Sequence, residues 1–220
     1  MREQLINREK KHLDGMLSNV MPSRVVQSFV NSGECISFIV QSVTIGSVRV
    51  RVMKKFDENP ADEYVFYNEI FSCFDEEIKE FELLSKVTTF AHTYSYIGGL
   101  FSEVNKPERH AEESIKFALK LLKLAPELSK KYDTEIHLTI GVHTGGPIVA
   151  GVMSFGKPTF QIIGTVSEMA NQLKNKGVCD HICISRAVYE LIFSVGLNVQ
   201  EQGDITIRGG KVIPTYLVHL

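Results

Sequence analysis

The 220-residue sequence has almost no surplus of charge, with 26 acidic residues against 24 basic ones, a formal net charge of −2 and a pI near 6.4. Without a basic excess it lacks the electrostatic footprint that binding to a phosphate backbone needs, which argues against nucleic acid as a partner. It also lacks a long apolar run. No stretch approaches the ~20 residues of a membrane helix, and the charged N-terminus is unlike a signal peptide, so a soluble piece without membrane contact is expected. Cysteine is scarce. Cys35, Cys73, Cys179 and Cys183 imply no disulfide framework, which fits a reducing compartment. The close pair in Cys179-Asp180-His181-Ile182-Cys183 admits a metal reading, but the alternation with Ile182 and Ile184 equally suits a strand with buried thiols.

At 44% hydrophobic the chain can bury a full core, and its length suits one domain with an appendage. Residues 1–24 are expected to be an N-terminal helix and linker to upstream domains, and 25–220 the domain itself. Leu5, Ile6, Leu13, Met16, Leu17 and Val20 form an amphipathic stripe that Pro22 ends; it packs on its own domain or pairs with a copy of itself. The opening Met-Arg-Glu-Gln suits entry in mid-helix and hence a fragment of a longer parent.

Two strand-like runs, 36–40 and 48–52, flank Gly46 as a turn, and Val48-Arg49-Val50-Arg51-Val52 alternates cleanly between apolar and charged. Phe66, Ile70, Phe74, Ile78 and Phe81 predict a helix over 63–84. A strand over 86–97 and a Gly98-Gly99 turn follow. A second long helix covers 108–131, with Pro126 as a kink or cap. Strands 136–142 and 148–153 flank His143-Thr144-Gly145-Gly146-Pro147, a tight turn whose amides could cradle an anion or simply close a hairpin. Strand 160–163, a helix from 167 to 174, strand 182–185, helix 186–193 and a hairpin of 205–207 with 215–218 complete the chain. The order predicts an α/β (α+β) sandwich, a mixed sheet covered by helices.

Several segments together resemble one family. Gly141-Val142-His143-Thr144-Gly145, then Pro147-Ile148-Val149-Ala150-Gly151-Val152 after one extra glycine, is similar to the Gly-Ile-His-Thr-Gly-Pro-Val-Val-Ala-Gly-Val segment of class III nucleotide (adenylyl/guanylyl) cyclases. The run Gly164-Thr165-Val166-Ser167-Glu168-Met169-Ala170-Asn171-Gln172-Leu173 resembles the family's Gly-Asp-Thr-Val-Asn-x-Ala-Ser-Arg-Met. Phe71 to Asp75 and Lys86 to Tyr94 resemble Phe-x-x-Phe-Asp and Lys-Ile-Lys-Thr-Ile-Gly-Asp-Ala-Tyr. Arg208-Gly209-Gly210-Lys211 with Thr215-Tyr216 resembles the closing Lys-Gly-Lys-Gly and Thr-Tyr, and Leu17 to Pro22 the lead-in at a signalling helix. The resemblance implies a ferredoxin-like cyclase fold with an N-terminal signalling helix. It also implies cyclisation of ATP or GTP across a head-to-tail dimer, with two divalent metals neutralising phosphate.

The resemblance also implies that the chemistry is gone. The metal-holding aspartates fall on Ser42, where the local motif is weakest, and on His92; neither is a good magnesium ligand. Glu168 and Gln172 stand for the ribose asparagine and the transition-state arginine, which puts a carboxylate where phosphate would lie and removes a cation. The phosphate lysine falls on Gly210, with Lys211 adjacent and Arg208 the better substitute by strand alternation. The base positions fall on Thr88 and Gln161. A salvage arrangement would bind zinc through His92, His143 and a carboxylate. The expectation is an inactive cyclase homology domain on the cytoplasmic side of a larger protein, which a membrane anchor could hold. It would serve dimerisation or regulation as a homodimer or as a heterodimer with another cyclase domain, with weak nucleotide binding at most and no cofactor. The alternative is an active cyclase using Mg or Mn with ATP or GTP through divergent ligands.

Overall fold

The computed structural model describes residues 37–54, 56, 59–102, 104–153 and 159–220; the expected N-terminal helix, its lead-in motif and Cys35 lie outside them. Ten strands and four α-helices follow in the order β1 (Ser37–Val40), β2 (Val43–Val52), α1 (Pro60–Ile78), β3 (Leu84–Phe90), β4 (Thr93–Gly98), α2 (Pro107–Tyr132), β5 (Ile136–Gly145), β6 (Ile148–Met153), β7 (Thr159–Ile163), α3 (Thr165–Lys176), β8 (His181–Ser185), α4 (Arg186–Ile192), β9 (Val199–Thr206) and β10 (Val212–Val218), with a 3-10 turn after α4. The main sheet runs β3-β4-β2-β5-β8-β10-β9, and β1-β6-β7 form a second sheet. Among the described strands only β5 and β8 pair in parallel, so the main sheet is mixed, as expected.

Strand β2 is the spine, and its alternation assigns each face a different helix layer. Val48 and Val50 join the larger core with Phe66, Ile70 and Phe74 of α1 and Phe117 and Leu121 of α2. Val43 and Ile45 face the other way, into a smaller core with Val166 and Ala170 of α3. By the same alternation Ser47 and Arg49 share the α3 face. Helix α3 presses hard on β5: a Cβ at Gly141 would lie 2.2 Å from the Lys174 backbone nitrogen and 2.4 Å from the Ala170 oxygen, so only glycine lets helix and strand approach this closely.

Four local expectations change. Gly46 is no turn; it lies within β2 opposite Tyr96 and Val142, where a Cβ would come 2.0 Å from Tyr96 Cζ. Here glycine makes room for a cross-strand ring, a use that local sequence does not distinguish from a turn. The strand expected over 86–97 is a hairpin, broken at Ala91 (φ 49°) and His92; alternation persists through a two-residue turn and hides it. Helix α1 starts at the Asn59 cap, whose side-chain oxygen accepts from the Ala61 N–H at 3.1 Å, and it stops at Ile78 rather than 84 because Leu84 pairs with Gly98 in the sheet. Of the two roles expected of Pro126, the cap is overturned: α2 runs on to Tyr132, where Asp133 (φ 49°) closes it, and Leu121, Leu122, Ala125 and Leu128 stay buried around the proline. Among the described residues no helix is long and apolar enough to cross a membrane.

Candidate functional site

One turn spacing on α3 brings Glu168, Asn171, Gln172 and Asn175 to a single face, where with Gly164 and Arg208 they line a cleft of about 620 Å³. Three of the expected site residues thus meet. The Arg208 backbone N–H donates to Gln172 Oε1, and its guanidinium stands 3.9 Å from Glu168 Oε1. Arg208 reaches the cleft for a reason other than strand alternation, because 207–211 form the turn between β9 and β10. In that turn Gly210 (φ 79°) donates its N–H to the Ile207 oxygen at 3.1 Å, and the Lys211 carbonyl accepts from the Ile207 N–H at 2.9 Å. Both residues are exposed at the tip.

The two expected metal positions do not meet. Ser42 lies between β1 and β2, where its carbonyl accepts from Asn105 Nδ2 at 2.7 Å. His92 is at the far end of β2, its carbonyl accepting from the Val50 N–H at 2.9 Å. The strand between Ser42 and Arg49 alone extends ~23 Å at ~3.3 Å per residue. The His92 ring stacks on Tyr67 with centroids 4.3 Å apart, and its Nε2 lies 3.0 Å from Glu63 Oε1.

On β2 the residue beside the His92 turn is Arg49, opposite Thr93. Arg49 donates through Nη2 to Asn175 Oδ1. Next to it, Lys174 donates through Nζ to Thr93 Oγ1 at 3.2 Å and to Asn171 Oδ1 at 3.0 Å, and Ser47 Oγ donates to the same Asn171 oxygen at 2.8 Å. Lys174 is only 5% exposed, and burial, then the nearby Arg49 charge, push its ammonium down to about 8. Among the described residues neither cation touches a carboxylate; every partner is a neutral amide or hydroxyl oxygen. Sequence reasoning missed both. The charged positions of the 48–52 alternation were the available signal for Arg49, whereas Lys174 looks like an ordinary basic residue at a helix end.

The remaining candidates are dispersed. Thr88 is exposed at a bulge in β3, and Gln161 is exposed on β7 opposite Gly151, in the other sheet. His143, opposite Ile45 on β5, bonds through Nδ1 to Ser185 Oγ at 2.8 Å, and burial pushes its pKa down to about 4. Measured along β2 from Ile45 to Val50, it is ~16 Å from the His92 turn, so the two histidines cannot share a zinc ion. Cys183 is buried and donates to Gln202 Oε1 at 3.3 Å, while Cys179 keeps company with His137 and Asp180, whose ligand atoms lie within 4.8 Å of one another. The cysteine pair is therefore not a joint ligand set.

Residues 39–220 match the family model described as "Adenylate and Guanylate cyclase catalytic domain". Atrial natriuretic peptide receptor 2 of Homo sapiens is 25% identical over 220 residues, covering 98% of this chain and 21% of the receptor. Guanylate cyclase 2G of Mus musculus is 26% identical over 206 residues, 91% of this chain and 18% of that protein. The chain thus spans about a fifth of the length of these relatives. The guanylate cyclase domain of RhGC from Catenaria anguillulae, solved in complex with GTP, superposes with a TM-score of 0.73 at 22% identity over 83% of this chain and 98% of that one. The adenylyl cyclase CyaB from P. aeruginosa gives 0.75 at 15% identity over 84% and 96%. The shared fold is the mixed sheet with its covering helices.

Proposed function

Because this chain belongs to the adenylate and guanylate cyclase catalytic domain family, we propose that it is a cyclase homology domain of a larger signalling protein that makes no cyclic nucleotide and works through dimerisation or regulation. The observation that carries this reading is the Arg49–Lys174 pair beside the His92 turn. Cyclisation needs the phosphates neutralised and the attacking hydroxyl activated, work that two divalent cations do when carboxylates hold them. The donor set here does not fit that pair of ions. Arg49 supplies a fixed positive charge, Lys174 a second, and the His92 imidazole is engaged by Glu63. A hard dication gains nothing from such ligands and is repelled by the cations.

The cleft on α3 points the same way. Glu168 places a carboxylate on its wall and Gln172 spends its amide oxygen on the Arg208 backbone, so transition-state charge would meet a like charge and no preorganised cation at either position. Losing one such donor typically costs ~3–4 kcal/mol of transition-state stabilisation. Support for a contact role comes from the second sheet. Ile39, Val149 and Ile163 sit directly opposite one another across β1-β6-β7 and are 66%, 40% and 55% exposed, an apolar row such as interaction surfaces carry. The test is incubation of the protein with ATP or GTP and manganese or magnesium. No cyclic product above a protein-free blank is expected, and sustained turnover would defeat the reading.

A further inference from the structure

Buried charges in folded proteins are paired with an opposite charge, or they shift toward neutrality. Lys174 does neither fully: it is 5% exposed, its ammonium stays cationic near neutral pH, and its described partners are the neutral oxygens of Thr93 and Asn171. Arg49 lies close enough to lower the lysine's proton affinity, and among the described residues its side chain too is held by an amide, that of Asn175. Two cations are thus kept together in a partly desolvated place without a counter-ion among the described residues. That arrangement costs stability unless something negative completes it.

The cleft shows where such a group would enter. Asn171 and Asn175, the residues that hold Lys174 and Arg49, also line the 620 Å³ cleft, and Arg208 stands at its wall. A phosphate oxygen is a stronger acceptor for a guanidinium or an ammonium than an amide oxygen, so replacing the Asn175 and Asn171 carbonyls by phosphate turns hydrogen bonds between a cation and a neutral oxygen into ion-paired ones. We infer that Arg49 and Lys174, with Arg208, form a metal-free site for a phosphate chain, the two side chains supplying the positive charge that divalent ions would otherwise bring. The inference rests on the reading of the cleft as one without metal ions, and it adds that the cleft is a receptor for polyphosphate rather than an empty relic.

A free divalent ion competes for the same phosphate oxygens. Binding is therefore strongest in a chelator and weaker in excess magnesium, the reverse of what a metal-assembled phosphate site shows. Salt weakens it, because the attraction is between charges only partly shielded from solvent.

The experiment is calorimetric titration of the full chain with GTP, ATP and inorganic tripolyphosphate, each in EDTA and in excess Mg2+, supported by thermal shift. Saturable binding in EDTA that weakens at least several-fold in Mg2+ is expected. Tripolyphosphate that binds as well as the nucleotides assigns recognition to the phosphate chain; nucleotides that bind more tightly add a base contribution to the same site. Lys174→Met and Arg49→Leu should each weaken binding at least tenfold, and Lys123→Ala, exposed on α2 and outside the cleft, should leave it unchanged. Lys174→Met removes a buried charge and is expected to melt higher than the parent without ligand, so loss of binding in a more stable protein is not misfolding. Absence of binding in EDTA, binding that requires Mg2+, or full binding by Lys174→Met overturns the inference. Formation of cyclic product would instead defeat the proposed function, so the two failures are separable.

Discussion

The two faces of β2 invite comparison, since one strand sends alternate side chains into opposite environments. Toward α1 and α2 it presents Val48 and Val50 to the larger apolar core, with Thr44 of the same face bonded to His110 of α2; toward α3 it passes from Val43 and Ile45 to Ser47 and Arg49 within a few residues. The first face is built mainly for packing. The second starts as core and ends as a polar site where a buried lysine and an arginine share amide oxygens. The larger apolar core lies on one side of the sheet, and the site proposed to take phosphate on the other.

The largest effect is expected where the apolar face is opened. Phe117 is fully buried, edge-on to Tyr96 at 4.8 Å and to Phe81 at 5.5 Å, and Phe117→Ala should cost about 3–5 kcal/mol in urea unfolding. A loss below about 1 kcal/mol would erase the contrast between the faces.

Acid comes next. Burial lowers both His110, bonded to Thr44 Oγ1 at 2.8 Å, and His143 to about 4 from the ordinary 6.5, so each is kept neutral in the folded chain. Below pH 6.5 the unfolded chain takes up protons that the folded one refuses. Stability from these groups is therefore complete above 6.5 and is lost as pH falls toward 4, by about 3 kcal/mol for His110 alone. Denaturation midpoints measured from pH 8 to 4 should fall over that interval, and less steeply in His110→Gln.

On the α3 face the sign is the same and the window moves up. Lys174 is held down from 10.5 to about 8, so its charged form costs stability below pH 8, and the cost is relieved as pH rises from 8 to 10.5. Lys174→Met should gain about 1–2 kcal/mol at pH 7, and the gain should shrink toward pH 10. A destabilised variant at pH 7 would mean that the ammonium's hydrogen bonds outweigh its desolvation.

The smallest change in stability, within about 1 kcal/mol, is expected for the pair Arg49→Asp and His92→Asp, both on partly or fully exposed side chains. Its value lies in ligand preference: titrating Mn2+ should detect binding to the double variant and none to the parent. Equal binding by both would show that the cations of this face do not decide what it attracts.

Helical faces were legible early. Phe66, Ile70 and Phe74 on α1 follow from a 3.6-residue period that needs no partner, whereas Glu168 and Gln172 on α3 were singled out through the family resemblance. The Ala91–His92 turn was hidden because the alternating pattern continues through it, and Gly46 was misread because a glycine opposite a tyrosine ring looks in sequence like any turn glycine. Ser42 and Arg49 mark the deeper limit. They lie on the same stretch of chain, yet only the pairing of β2 with β4 puts Arg49, and not Ser42, beside His92.

The order of residues determined by itself the type of most segments, helix or strand, and the family resemblance, which implies that the family's charges are replaced at Glu168, Gln172 and Gly210. The tertiary structure alone decided that Arg208 closes on Glu168 and that Arg49 and Lys174 come together beside the His92 turn. The reason is physical. Periodicity and residue chemistry are local properties of a chain, whereas the charge around a site is a sum over groups that only strand register and helix packing bring within a few ångströms of one another.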